Sequence, residues 1–274
     1  MLNPTLSEWL NLAFRWIHVF AGIMWVGTTY YFTWLDARLT EEEKASRNTG
    51  ELAQVWMVHS GGFYVVERRK VPELVSRTLH WFRWEAATTW LSGSLLLILL
   101  FYTGGGALVD PDVLNISAGT GVLIGIGVII IGWVLYDALM LSPLGRNEIA
   151  FATIAFVLIV AVAFLLTHVL SGRAAYIHLG AIFGTIMAAN VWQRILPAQR
   201  RMIAALRDGE KPDERLSAQA KLRSKQNTFM AVPVVFLMIS NHYPGVTYGD
   251  RNNWIIMSVL VLLGWLAAKF IRRA

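Results

Sequence analysis

Seven apolar runs, each close to the ~20 residues a helix needs to cross a bilayer, constrain this chain more than any other feature. They are Trp9 to Leu35, Trp84 to Tyr102, Ala118 to Tyr136, Ile149 to Leu170, Ala174 to Leu196, Phe229 to Tyr243 and Trp254 to Ile271. Hydrocarbon offers no water to pair backbone N–H and C=O groups, so a chain of such runs folds as helices packed on helices. The expected fold is all-α: a polytopic membrane helix bundle of about seven transmembrane helices, with residues 1–274 as a single membrane domain. The sixth run is the weakest, being short and interrupted by Pro233. The first is long, lacks a basic leader and carries no small-residue cleavage site, so it reads as a retained helix.

Orientation follows from the cations. Residues 36–83 carry eight lysines and arginines, residues 197–226 carry eight more, and the tail adds Lys269, Arg272 and Arg273. The opposite loops hold Arg15, Arg173 and Arg251. The positive-inside rule then sets the N-terminus outside and the C-terminus in the cytoplasm, as in a bacterial inner membrane. Residues 36–83 and 197–226 become cytoplasmic excursions. The net charge of +6 is topology signal plus attraction to anionic membrane lipid, and calls for no nucleic-acid partner. Thr40 through Lys44 is expected to begin a solvated helix, because threonine caps and glutamates suit an N-terminal dipole. The second excursion reads as two basic helices either side of Asp208 to Pro212.

The chain has no cysteine, which excludes disulfides, thiolate-bound metal and covalently attached c-type haem. It has six histidines. On the expected topology His18, His168, His178 and His242 all fall in or beside the outer half of the apolar runs. Ionisable groups are costly there, so a one-sided cluster is a site by default, and its sharpest reading is ligation of the iron of one or two b haems. His18 with His178 is the first pairing, both being flanked by glycines that let a macrocycle or a helix approach, and His168 with His242 the second; other pairings stay open. At the opposite side, His59, Phe63, Tyr64, His80 and Glu85 supply stacking surfaces and titratable groups suited to a flat polar heterocycle. Glu85 opens an apolar run and needs a partner, for which Arg68, Arg69, Arg83 or a histidine is available. An inner haem between His59 and His80 is an equal alternative.

Several strings, in order along the chain, resemble the membrane-bound urate hydroxylases (PuuD-type, with a urate oxidase N-terminal domain). They include Ile17 to Gly27, His59 to Tyr64, Leu79 to Glu85, Thr89 to Gly93, Asn190 to Trp192 with Pro197 to Gln199, Ser224 to Thr228, and Met238 to Pro244. The resemblance implies an integral membrane oxidoreductase of purine catabolism that oxidises urate towards 5-hydroxyisourate and passes electrons to cytochrome c. It also implies a further span and an external cytochrome c domain, which would here come from a separate cytochrome c or a cytochrome c-containing subunit. His59, His80 and Glu85 are then the expected catalytic residues, with Phe63, Tyr64 and Arg83 against the substrate. Two other readings stand beside this one. One is a non-catalytic b-type cytochrome or structural subunit of an electron-transfer complex. The other is a transporter, against which stands the lack of paired intramembrane acids or matching broken helices.

Overall fold

The computed structural model describes residues 3–46, 52–68, 79–103 and 107–272. Helix α1 runs from Pro4 to Ala45, begun by the Asn3 side chain accepting the Thr5 N–H at 3.0 Å and by proline in its first turn. It outlasts the expected span by a further ten residues and absorbs Thr40 through Lys44. Thr40 does not cap a new helix there: its hydroxyl donates back to the Asp36 carbonyl at 2.6 Å, one turn earlier. Continuing an existing helix spares the cost of nucleating another.

After α1 comes an element the all-α expectation lacked, a hairpin of β1 (Gln54–His59) and β2 (Gly62–Glu67), paired antiparallel with His59 opposite Gly62. Ser60 and Gly61 both have positive φ, 49° and 77°, the geometry of the tight turns whose twist matches the flanking strands. Val55, Met57 and Val66 pack on Leu35 and Leu39 of α1. Arg68 closes the join with ion pairs to Asp36 and to Glu43, the latter at 2.7 Å. The hydrogen bond to Glu43, reinforced by Asp36, holds its guanidinium above its ordinary value, so the clasp stays charged across the physiological range.

The bundle follows. Helix α2 spans Trp84–Leu97 and widens into a π turn over Ile98–Tyr102. Helix α3 is Ala118–Leu141, capped by Ser117, and α4 is Glu148–Thr167, capped by Asn147. Helix α5 is Gly172–Ala189, and a second π turn over Asn190–Ile195 joins it without a break to α6, Leu196–Arg207. Helix α7 is Glu214–Ile239 and α8 is Asn253–Ile271.

Among the described residues, six helices are long and apolar enough to cross a membrane: α1, α2 with its π turn, α3, α4, α5 continued through α6, and α8. The sixth expected span is the apolar second half of α7, whose first half holds the second basic stretch. One helix thus serves both a basic segment and an apolar one. Pro233 sits inside α7 and Gly264 of α8 lies against it; a Cβ there would be 2.8 Å from the proline Cγ. Small residues let helix backbones come this close.

Helix α5 is the central column. Ala174, Ala175, Tyr176, His178, Leu179, Ile182, Phe183, Ile186 and Met187 are buried along it, against α2, α3, α4 and α7. The outer helices turn apolar side chains outward instead, for example Trp16, Phe20 and Ile23 of α1. An apolar exterior around a packed centre suits lipid as solvent.

Candidate functional site

The two intramembrane histidines both pack on α2. His18 Nδ1 lies 2.9 Å from the Thr89 carbonyl oxygen and 3.3 Å from Ser92 Oγ. A carbonyl only accepts, so Nδ1 carries the proton and Nε2 keeps its lone pair. Among the described residues no hydrogen bond engages Nε2. Gly93 makes this seat, since a Cβ there would fall 2.8 Å from the imidazole Cε1.

His178 is fully buried on α5. Its Nδ1 donates to the Ala174 carbonyl at 2.7 Å, and its Nε2 accepts from the Tyr102 hydroxyl at 3.0 Å. The π turn of α2 presents Tyr102 here, and Phe101 from the same turn packs edge-on against the ring. Gly125 of α3 closes the other side, where a Cβ would be 2.5 Å from Nε2. Gly125→Ala must push the imidazole or α3 away, and overpacking of this kind costs about 1–3 kcal/mol. We expect a lowered unfolding midpoint in detergent with the helical circular dichroism retained.

Among the described residues no hydrogen bond or ring contact joins His18 to His178. Their contact points on α2, Gly93 and Tyr102, are nine residues apart, about 13 Å at a rise of 1.5 Å per residue. His168 and His242 are exposed at the ends of α4 and α7. His168 Nδ1 donates to the Phe164 carbonyl at 2.7 Å, and its ring stacks on that phenylalanine at 4.0 Å. An Arg173 Nε to Asn241 Oδ1 bond of 2.8 Å ties the end of α7 to the start of α5, so His178, His168 and His242 share one end of the bundle.

At the other end the expected substrate residues are spread out. His59 is exposed at the hairpin turn, and Phe63 and Tyr64 on β2 are 78% and 51% exposed. His80 packs edge-on against Phe82 at 4.6 Å, and Phe82 against Phe32 of α1 at 4.8 Å. The Arg83 guanidinium lies over the Trp84 ring at 5.3 Å. Glu85, in the first turn of α2, makes no hydrogen bond or ion pair from its carboxylate among the described residues; Arg69, one of its expected partners, lies outside them. No hydrogen bond, ion pair or ring contact joins the hairpin turn to His80 or Glu85 among the described residues, and no group of three or more histidine and acidic side chains there is placed to hold a metal ion.

Sequence reasoning missed a buried polar network where α3, α5 and α7 meet. Asp137 of α3 accepts two bonds from Arg194, the Nε one at 3.0 Å, and its Oδ1 lies 2.8 Å from Arg223 Nη2 of α7. That second contact is a charge contact without hydrogen-bond alignment. Arg223 also donates to Asn190 Oδ1 at 3.1 Å and lies over the Tyr136 ring. Asn190 Nδ2 reaches Tyr136 at 3.0 Å and Asn227 at 2.8 Å, and Asn227 donates to the Met187 carbonyl. The second π turn supplies Asn190 and Arg194, as the first supplies Tyr102, and π turns often mark functional positions. The available signal was polar residues inside or just beyond apolar runs.

A bundle whose described residues include six helices of membrane-crossing length and apolarity, around buried histidine and arginine centres, defines the class: an integral membrane protein of helical type. Within that class, the urate oxidase N-terminal family matches residues 4–274. The chain belongs to this family. Neither a curated protein nor a solved structure matches it.

Proposed function

We propose that the chain is the membrane part of a haem b-containing, urate-oxidising electron-transfer enzyme of the bacterial inner membrane. The observation that carries the haem reading is His18: Nδ1–H anchored on the Thr89 carbonyl, a glycine seat at Gly93, and an Nε2 without a hydrogen bond among the described residues. Metal-ligating histidines are characteristically held by such a second hydrogen bond, which fixes both tautomer and ring. His178 fits less directly, because Tyr102 and Gly125 close its Nε2. Its ligation, like that of exposed His168 and His242, requires rearrangement at the outer end, so His18 is the principal ligand in this reading. Haem b would supply one-electron storage between a two-electron substrate and a one-electron acceptor.

The reaction balances as urate plus water giving 5-hydroxyisourate, two protons and two electrons. The electrons leave one at a time to cytochrome c or a cytochrome c-containing subunit. Of the inner residues, Glu85 is best suited to take a substrate proton, being half-buried and unpaired among the described residues at the membrane entry. His80 with Phe82 and Arg83 with Trp84 offer stacking and charge beside it. His59, Phe63 and Tyr64 join them on this reading only if the hairpin turn closes over the substrate. Glu85→Gln is expected to keep the haem spectrum while slowing its reduction by urate at least 100-fold, within the range a positioned acid–base group contributes (~10²–10⁴). Reduction at the wild-type rate would remove Glu85 from the chemistry.

The spread of the inner residues favours a second reading, a non-catalytic b-type cytochrome or structural subunit in which they never meet a substrate. The two readings part on whether urate reduces the haem.

A further inference from the structure

A cavity of about 680 Å³ opens between α3, α4, α5, α7 and α8, within the ~300–1,000 Å³ range of small-molecule sites. None of the histidines lines it. Along α4 it runs from Glu148 to Val162, which at 1.5 Å per residue is about 21 Å of depth, most of a ~30 Å hydrocarbon core. Its walls are aliphatic and aromatic, among them Ile159, Leu179, Ile182, Phe183 and Leu266. The rim at the basic-loop end is different in kind: Lys225, Lys269 and Arg272 converge there with one acid, Glu148. Glu148 pairs with Lys225 and, with Asp36 beyond the rim, also acts on Arg272, but among the described lining residues three cations face this one carboxylate, so the rim keeps a net positive charge centred on Lys269 and Arg272. Arg272 is held there by its stacking over Phe229 at 5.8 Å.

We propose that this cavity is a binding site for an anionic phospholipid, with an acyl chain along the α4 and α5 wall and the phosphate at Lys269 and Arg272. The charge balance selects the occupant. A zwitterionic lipid would leave the two cations without a net counter-charge, whereas a lipid of net charge −1 supplies one. A polar heterocycle such as urate is a poor match for walls of leucine, isoleucine and phenylalanine, since its ring nitrogens and carbonyls would be buried without partners. Juxtamembrane lysines and arginines attract anionic lipid, and each contributes about fivefold in affinity.

The test uses the full chain purified in mild detergent, delipidated, and titrated with phosphatidylglycerol or phosphatidylcholine under native mass spectrometry. Wild type should bind phosphatidylglycerol at least tenfold more tightly, in a one-to-one complex. The double variant Lys269→Gln, Arg272→Gln should bring the two lipids within about twofold. Ala155→Phe, which fills the apolar wall while leaving the rim intact, should lose the one-to-one complex. Equal affinity of wild type for both lipids, or a preference unchanged in both variants, would overturn the proposal. Because neither variant touches His18 or Glu85, the haem spectrum serves as the folding control, and for preparations without haem helical circular dichroism does so.

Discussion

Replacing His18 by alanine is expected to strip haem b from the protein: the purified variant should keep less than about a tenth of the wild-type Soret absorbance per chain, while its helical content is unchanged. His18 is the histidine whose geometry already satisfies a ligand's needs, with one nitrogen anchored and the other unengaged. A graded companion separates ligation from packing. Gly93→Ala keeps the histidine but sets a Cβ 2.8 Å from its Cε1, so the ring must shift against Thr89. Loss of such outer-shell support typically costs about 10–100-fold in metal affinity. Haem titration of the apoprotein should therefore rank wild type above Gly93→Ala, and Gly93→Ala above His18→Ala. A His18→Ala protein with a full complement of haem would exclude His18 as ligand.

The second large effect concerns stability. Asp137→Ala leaves Arg194 and Arg223 facing each other without their shared carboxylate, and the Arg223 side chain is 2% exposed. Removing one partner of a buried ion pair costs about 3–5 kcal/mol, because a desolvated charge is left uncompensated. The variant should unfold at markedly lower temperature or denaturant concentration than wild type. The double variant Asp137→Leu, Arg223→Met should recover a good part of that loss, since apolar replacement of a whole buried pair is often neutral. If Asp137→Ala unfolded with the wild-type midpoint, the network would not hold α3, α5 and α7 together.

Most of the bundle was legible in the sequence, because a bilayer leaves the backbone few alternatives and apolar length alone locates helices. Trp84 to Tyr102 was found to the residue. What length does not report is where a helix continues into water. Residues Asp36 to Ala45 extend α1 through Thr40, and residues Glu214 to Thr228 extend α7 through Asn227, because side chains on those polar turns find partners on neighbouring elements. The hairpin was legible in principle, since Val55, Met57 and Val66 alternate with outward residues around a Ser60-Gly61 turn, but so short a period-2 pattern is a weak signal between long apolar runs.

The site divides along the same line. His18 and His178 were found because a histidine in an apolar run is costly and conspicuous. Their separation along α2 was not, since linear depth from the membrane surface says nothing about which neighbour each ring faces. Asp137 was missed because it lies one residue beyond the run ending at Tyr136, and Arg223 because it belongs to a basic stretch that reads as solvent-facing. Only the packing of α7 against α5 takes that arginine out of water.

The most direct test of the central claim is an anaerobic visible spectrum of the purified protein before and after urate is added. The account predicts a b-type spectrum in which urate raises the reduced α band, with dithionite completing the change. A haem that dithionite reduces and urate leaves oxidised would contradict the enzyme reading in favour of the cytochrome subunit, and a protein free of haem would contradict the role given to His18.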